Sequence, residues 1–293
     1  MSLSQRIVIA GAGGQLGSYL KAEATRQGRD VLALTSSQWD IADPQAAQQI
    51  VQRGDLVINC AAYTNVDGAE SDQDRAYAVN AAGPGYIAQA CARAGAGLAH
   101  VSTDYVFDGD FGSAAPHPYE TDDKTRPLSV YGQTKLEGER AVLEALPDAL
   151  VVRTAWLYTG GNGKDFVAVM RRLAAGDGTI DMVADQTGSP TYVGDLASAL
   201  LEVADGKVHA PSGIVHAANG GEVTRLGQAR AVFEAVGADP DRLLPVSSSH
   251  NPRPAARPPY SALSGLQSQK AGLTPLRPWQ EALAAALSVP LDA

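Results

Sequence analysis

The feature that most constrains this chain is an apolar run that breaks into glycines and resumes as a helix. Arg6-Ile7-Val8-Ile9-Ala10 reads as a short buried strand, and Gly11-Ala12-Gly13-Gly14-Gln15-Leu16-Gly17 follows at once. Ser18-Tyr19-Leu20-Lys21-Ala22-Glu23 then has the texture of a helix. Glycines at 11, 14 and 17 give the spacing G-x-x-G-x-x-G. Residues without Cβ allow a tight turn, close approach of backbone to a pyrophosphate and close packing of helix on strand. The free N–H groups and dipole of the helix start favour phosphate charge. Glycine turns are common on surfaces, but one set between a strand and a helix points to dinucleotide binding. Gly11, Gly14, Gln15, Leu16 and Gly17 are the expected cradle.

Strand and helix signals then alternate. Asp30–Leu34, Asp55–Asn59, Leu98–Ser102 and Ala149–Arg153 read as further strands. The run at 55–59 is apolar in its interior, as a parallel strand covered on both faces should be. Asp43-Pro44 is a helix start, an N-cap followed by proline. A helical region is expected from Asp72 to Ala94, stopped by Gly95. Such alternation implies right-handed crossovers and an α/β fold, a Rossmann-like doubly wound parallel sheet. Ligands in these sheets bind outside the carboxyl ends of the strands. Gly11, Ala61, Thr103 and Thr154 fall just past strand ends and converge there. After Thr154 the texture changes to glycine, proline and short segments. Helices are expected at Phe166–Ala174, Val193–Ala204, Leu226–Val236 and Pro278–Leu287, with strands near Ile180–Val183 and Ile214–Ala217. This is the pattern of a smaller C-terminal lobe with some segments returning to the main sheet.

Bulk properties exclude several classes. A chain of 293 residues can bury a large core. Its formal charge of −9 argues against a nucleic-acid or membrane-surface binder, which needs a basic face. Cys60 and Cys91 lack C-x-x-C spacing and read as buried thiols of a reducing compartment. No stretch of eighteen apolar residues and no signal sequence occurs, so a cytoplasmic protein is expected. Five scattered histidines have no metal-ligand spacing, and no bound metal is expected.

The chemistry is carried by Tyr131-Gly132-Gln133-Thr134-Lys135. Tyrosine and lysine four apart share one helix face. A phenol with a reference pKa near 10 is a poor acid, and a nearby ammonium is expected to bring it toward neutrality. Thr103, in Ser102-Thr103-Asp104-Tyr105, offers a hydroxyl to the same oxygen. With a nicotinamide nearby, the set suits hydride transfer to a carbonyl. Asn251–Pro259 is rich in proline and arginine and reads either as a surface linker or as a cleft loop with Arg253 or Arg257 facing phosphate.

Together these segments resemble the extended branch of the short-chain dehydrogenase/reductase superfamily, and within it the dTDP-4-dehydrorhamnose reductase family. The resemblance spans essentially the whole chain. It rests on Gly11–Gly17, Asn59–Asp67, Ser102–Gly109, Val130–Glu139, Arg153–Tyr158, Asp185–Thr191, and Arg253–Ser261 leading to Pro278-Trp279. It implies reduction of the 4-keto group of dTDP-4-dehydro-6-deoxy-L-mannose to dTDP-L-rhamnose. Tyr131 is then the general acid, Lys135 holds its pKa down and bonds the nicotinamide ribose, and Thr103 supports the developing alkoxide. Trp156, Asp104 and Tyr105 are expected to meet the sugar. Asn162, Lys164 and Phe166 are expected near the nucleotide diphosphate. Residues 1–154 form the dinucleotide domain and 155–293 mainly the nucleotide-sugar lobe.

For the cofactor, Leu34-Thr35-Ser36-Ser37 ends the second strand with neither the carboxylate that grips a ribose hydroxyl nor an arginine. Hydroxyls there lean toward NADPH, with NADH possible. Asp40 and Ile41 are placed to meet the adenine, and Ala61, Ala62 and Tyr63 to pass under the ribose and nicotinamide. Some family members dimerise through magnesium held by glutamates. Here Tyr19 stands at one such position and Tyr192-Val193-Gly194 lacks another, so a metal-linked dimer is not expected and the chain is read as a monomer or homodimer. Two alternatives stay open. One is another nucleotide-sugar 4-ketoreductase or an epimerase; a dehydratase would need Glu where Tyr105 stands. The other is a non-catalytic regulatory subunit, against which the intact Tyr131, Lys135 and Thr103 argue.

Overall fold

The computed structural model describes residues 5–161 and 163–288. The first half runs β1 (Ile7–Ala10), α1 (Gln15–Arg26), β2 (Val31–Leu34), α2 (Ala46–Ile50), β3 (Leu56–Asn59), α3 (Val66–Ala69), α4 (Gln73–Tyr77), α5 (Gly83–Ala94), β4 (Gly97–Thr103), α6 (Val130–Ala145) and β5 (Leu150–Thr154). The second half runs β6 (Leu157–Tyr158), α7 (Phe166–Ala174), β7 (Ile180–Val183), β8 (Thr187–Gly188), β9 (Thr191–Tyr192), α8 (Val193–Ala204), β10 (Ile214–His216), β11 (Val223–Thr224), α9 (Arg225–Ala235), β12 (Leu243–Val246), α10 (Leu266–Lys270) and α11 (Trp279–Leu287).

Six strands form one sheet in the order β10-β5-β4-β3-β1-β2, and every pairing is parallel. β1 and β3 are buried at every residue, as strands covered on both faces require. One face is packed by α1 and α8 through Leu16, Leu20, Leu196 and Leu200. The other is packed by α2, α5 and α6 through Ala47, Ile87, Cys91 and Val142. A second core gathers α7, α9 and α11 around Met170, Val232, Phe233 and Leu283. β7 and β12 pair in parallel beside it.

The chain turns to opposite sides of β1 on leaving it for β2 and then for β3, so a crevice opens at the carboxyl ends of β1 and β3. Gly11 takes φ +79°, and a Cβ there would lie 2.7 Å from Cα of Ala61. The turns after β1 and β3 therefore touch backbone to backbone. A Cβ on Gly17 would run into the carbonyl of Gly11, so only glycine lets α1 start this close to β1.

Two local expectations are corrected. The helix after Asp43-Pro44 begins only at Ala46, because the Asp43 carboxylate accepts from the Gln45 N–H at 2.9 Å and closes a turn first. The helical region from Asp72 to Ala94 is interrupted by a π-turn at Ala78–Ala82. Such bulges often mark functional positions, and this one carries the buried Asn80. Gly95 does stop α5, in a left-handed conformation with φ 67°. Among the described residues no helix is long and apolar enough to cross a membrane.

α6 is fastened to the sheet by buried charge. Arg153 of β5 donates to both oxygens of Glu139 at 2.9 and 2.7 Å, and Ser102 of β4 donates to the same carboxylate at 2.5 Å. Both charged side chains are 3% exposed. Removing one partner leaves an uncompensated buried ion, which costs on the order of 3–5 kcal/mol. Glu139→Leu is therefore expected to lower the urea midpoint markedly, while Glu139→Leu with Arg153→Met recovers most of the loss. A single variant that unfolds at the wild-type midpoint would refute this anchoring.

Candidate active site

The nucleotide end is built from turns after the first three strands. No side chain caps α1: Gly14 occupies the N-cap with extended backbone, and Gly13, Gly14 and Gln15 are exposed. The open N–H groups of this helix start suit a pyrophosphate. Leu16 and Gly17 turn inward, Leu16 into the core. The Gln15 amide reaches Asp165 at 3.2 Å and so ties the turn to α7, which Asp165 caps. Thr35 and Ser37 share a hydroxyl contact of 2.9 Å at the end of β2. Asp40 is exposed and meets Arg75 at 3.5 Å. Ile41, in contrast, is 4% exposed and packs in the core, so its side chain is not open to an adenine. Ala61, Ala62 and Tyr63 line the next turn, half-buried. Asn80 clamps that turn. It accepts from the Tyr63 N–H at 2.8 Å, and its amide donates to the Tyr63 carbonyl and to Thr134 of α6, each at 3.1 Å. Sequence reasoning missed Asn80, since nothing local marks it.

Tyr131 and Lys135 follow on α6. Ser129 caps this helix by accepting from the Gly132 N–H, and the Glu70 carboxylate accepts from the Val130 N–H at 2.9 Å. The Tyr131 ring lies edge-on to Tyr105 at 5.5 Å. Thr103 ends β4, donates to Asp104 at 3.0 Å and accepts from the Tyr105 N–H at 3.2 Å. Asp104 also receives a hydrogen bond from Ser261 at 2.6 Å. Tyr131, Thr103, Asp104 and Tyr105 are thus one cluster at the carboxyl edge of the sheet.

The expected coupling of phenol and ammonium is corrected. Burial pushes the Tyr131 phenol up, with Asp104 adding to the rise, and a hydrogen bond with Thr103 opposes it. Lys135 is not among the groups acting on it. The reason is direction: the lysine runs back under the helix, where Nζ donates to the Val101 carbonyl at 2.7 Å. Burial brings Lys135 itself down to about 8, against the pull of Glu139 and Cys60.

The far wall belongs to the second half of the chain. Trp156 has φ +48°, a costly conformation for a bulky side chain and one that clusters at functional sites. Its ring rests on Gly188, and the Arg225 guanidinium lies 3.4 Å from the ring centroid. Phe166 lies on the same guanidinium at 5.0 Å. Arg225 donates to the Gln228 side chain at 3.4 Å and has no carboxylate within salt-bridge distance among the described residues, while Tyr105 and Asp104 act on it from across the cleft. Its position at the start of α9 gave no signal in sequence. Arg253 and Arg257, on the segment read either as a surface linker or as a cleft loop with one of them facing phosphate, converge on Asp67. Arg253 Nε donates at 3.0 Å and Arg257 at 2.6 Å. Their hydrogen bonds, that of Arg257 first, hold the Asp67 carboxyl below the usual range. Lys164 is exposed, and Asn162 lies outside the described residues. Tyr19 packs edge-on against Tyr192 at 6.2 Å. Among the described residues no group of three or more His, Cys, Asp or Glu could hold a metal.

Comparison with known proteins now decides the family. The RmlD substrate binding domain family matches residues 5–290. The chain belongs to that family. A dTDP-4-dehydrorhamnose reductase of Mycobacterium tuberculosis is 67% identical over 289 residues, 99% of this chain and 94% of that protein. Among solved structures, the family likeness holds in three dimensions. A dTDP-4-dehydrorhamnose reductase of Clostridium acetobutylicum superposes with a TM-score of 0.89 at 36% identity, covering 97% of this chain and 98% of that one. A Bacillus anthracis dTDP-4-dehydrorhamnose reductase, solved in complex with NADP, gives the same TM-score of 0.89 and 36% identity, again over 97% and 98% of the two chains.

Asp104 supplies a pH prediction. Burial raises its carboxyl from 3.8 to about 6, against the hydroxyls of Ser261 and Thr103. Between those values the folded state holds a proton that the unfolded state has lost, so stability falls as pH rises from about 4 to about 6. Relative to Asp104→Asn, the wild type should lose on the order of 2–3 kcal/mol across that window, read from urea unfolding at pH 4 and pH 7. Parallel pH profiles for the two proteins would show that Asp104 titrates normally.

Proposed function

We propose that this protein is an NADPH-dependent dTDP-4-dehydrorhamnose reductase. It reduces the 4-keto group of dTDP-4-dehydro-6-deoxy-L-mannose and gives dTDP-L-rhamnose. The observation that carries the reading is the cluster of Tyr131 with Thr103 and Asp104 beside the open start of α1. It occurs in a chain 67% identical to a reductase of that name over nearly its full length.

The residues fit the cofactor. The uncapped start of α1, with Gly11, Gly14, Gln15, Leu16 and Gly17, takes the pyrophosphate. The hydroxyls of Thr35 and Ser37, with Arg75 near Asp40, suit a ribose 2′-phosphate. Ala61, Ala62 and Tyr63, held by Asn80, pass under the nicotinamide end. Bound NADPH supplies a hydride to the ketone carbon. Tyr131 gives its hydroxyl proton to the ketone oxygen as charge develops there. A phenol raised by burial stays protonated at neutral pH and is therefore loaded to donate. Thr103 already donates to Asp104, so supporting the alkoxide requires its hydroxyl to rotate toward the substrate. Trp156, Asp104 and Tyr105 form the sugar pocket. Residues 155–293 supply most nucleotide-sugar contacts, with Arg225, which has no carboxylate partner among the described residues, meeting the diphosphate.

Purified protein with the keto-sugar should oxidise NADPH in equal amount to product; an epimerase would show no net consumption. Tyr131→Phe should lower kcat by two to four orders of magnitude, about the worth of a general acid, while NADPH still binds in a fluorescence titration. Unchanged turnover would remove Tyr131 from the chemistry. Arg225→Met should raise KM for the nucleotide-sugar about 10–100-fold, the loss of charged hydrogen bonds. An unaltered KM would take Arg225 out of substrate binding.

A further inference from the structure

The carboxyl of Asp104 takes hydrogen bonds from two hydroxyls, and one of them comes from a segment remote from the reacting residues. Thr103 Oγ1 donates to Oδ1 at 3.0 Å, and Ser261 Oγ donates to Oδ2 at 2.6 Å. Asp104 and Ser261 are each 1% exposed. Ser261 lies on a strap, residues 259–263, that backbone hydrogen bonds lace into the second half of the chain. Its N–H donates to the Thr187 carbonyl at 2.9 Å, the Tyr119 N–H donates to the Ala262 carbonyl at 2.8 Å, and the Leu263 N–H donates to Ser189 at 3.2 Å. A fixed backbone thus delivers the Ser261 hydroxyl to Asp104. The Ser261 oxygen has no other hydrogen-bond partner among the described residues.

Counting hydrogens gives this contact a consequence. A threonine hydroxyl has one hydrogen to give and two lone pairs. With Asp104 ionised, the Thr103 hydrogen goes to Oδ1. One lone pair takes the Tyr105 N–H at 3.2 Å, and the other takes the hydroxyl of Tyr131, with which Thr103 shares a hydrogen bond. Both hydrogens that a ketone oxygen needs then point away from it. With Asp104 protonated the direction reverses. A hydrogen on Oδ2 would turn the Ser261 hydrogen away from its one acceptor and leave a buried donor unsatisfied. The acid hydrogen therefore sits on Oδ1 and goes to Thr103. The hydrogens of Thr103 and Tyr131 are both released. We propose that Ser261 is a positioning residue for the reduction: by occupying Oδ2 it directs the acid hydrogen of Asp104 onto Oδ1, and so frees Thr103 and Tyr131 to meet the ketone oxygen together. Asp104 keeps its proton throughout. Hydroxyls turn, and the one proton transferred is that of Tyr131 to the ketone oxygen.

The groups around Asp104 allow its protonated form. Burial raises the carboxyl to about 6, against the hydroxyls of Ser261 and Thr103 and the charge of Arg225 at the start of α9. Arg225 acts from a distance, without a hydrogen bond to it. Tyr105, next in the chain, and Tyr131 of α6 are pushed up by burial and stay neutral. Lys135 of α6 turns away to the Val101 carbonyl. Arg257 acts on Tyr105 and Arg225, and its own charge is met by Asp67. On the strap, Tyr260 donates to Glu222. A bound dinucleotide and nucleotide-sugar bring further negative charge, which favours the neutral acid.

The inference rests on the reductase reading, and the two fail differently. NADPH oxidation with the keto-sugar is followed across the pH range. The wild-type kcat should fall as pH rises through the Asp104 value in the complex, at or above about 6. Asp104→Asn, whose amide offers a hydrogen to Thr103 and an oxygen to Ser261 at every pH, should lose that limb, whatever its level of activity. Ser261→Ala removes a donor that favours the carboxylate, so the limb should move up by about one pH unit. Below the limb, Ser261→Ala should have a kcat about 10-fold lower with KM little changed, because the acid hydrogen is no longer steered. Carbon-13 spectra of the free protein, with the Asp104 carboxyl assigned by its loss in Asp104→Asn, should show the same upward shift in Ser261→Ala. An Asp104 carboxyl that titrates in the ordinary range near 4, or at the same pH in wild type and Ser261→Ala, would overturn the proposal. So would turnover with the same pH profile in wild type and Asp104→Asn. Absence of turnover with the keto-sugar at every pH would instead end the reductase reading, and this inference with it.

Discussion

Helix α6 is fastened to the sheet by charge placed where charge is costly. Glu139 and Arg153 form a nearly water-free pair between α6 and β5, and Ser102 of β4 completes it. Lys135, one turn earlier on α6, donates into β4 at the Val101 carbonyl. Such groups tolerate burial only with their partners in place, so they fix the roll and height of α6 more sharply than apolar contacts would. Tyr131 stands one turn nearer the edge, and its place over Thr103 and Asp104 follows from that fixing. Ser129 and Glu70 secure the start of the same helix.

The rest of the site is arranged around this edge by backbone crowding. Gly11 and Gly17 bring the first strand, the first helix and the turn after β3 into contact, which leaves the start of α1 open toward the crevice. On the opposite wall Trp156 is held at φ +48°, packs against the cluster around Phe107 and Tyr260, and carries Arg225 on its ring. That guanidinium donates to the Gln228 side chain at 3.4 Å while stacked on the indole. Burial disfavours the charged form of both side chains, raising the Tyr131 phenol and lowering the Lys135 ammonium.

Much of this was legible beforehand. The strand–glycine–helix opening, the four later strands and the helices at Phe166–Ala174 and Val193–Ala204 follow from periodicity and punctuation that act over a few residues. Tyr131 and Lys135 were legible because helical spacing places them on one face. Their mutual influence was not, because it depends on where each side chain's far end goes, and β4 draws Lys135 away. The pairing of Arg253 and Arg257 was out of reach for a related reason. Their partner, Asp67, is 186 residues from the first of them, and no local pattern reports such a pairing. Ile41 likewise met the core of a sheet that its own neighbourhood does not encode.

The sequence by itself determined the class of fold and the strand–glycine–helix turn, since each is written in contiguous residues under local steric and hydrogen-bonding rules. Tertiary structure alone decided that Arg253 and Arg257 meet Asp67, that Asn80 from a π-turn clamps the turn after β3, and that Asn59 and His100 stand under Lys135. These are matters of distance between segments remote in the chain, and electrostatic energy depends on that distance and on burial rather than on order along the backbone.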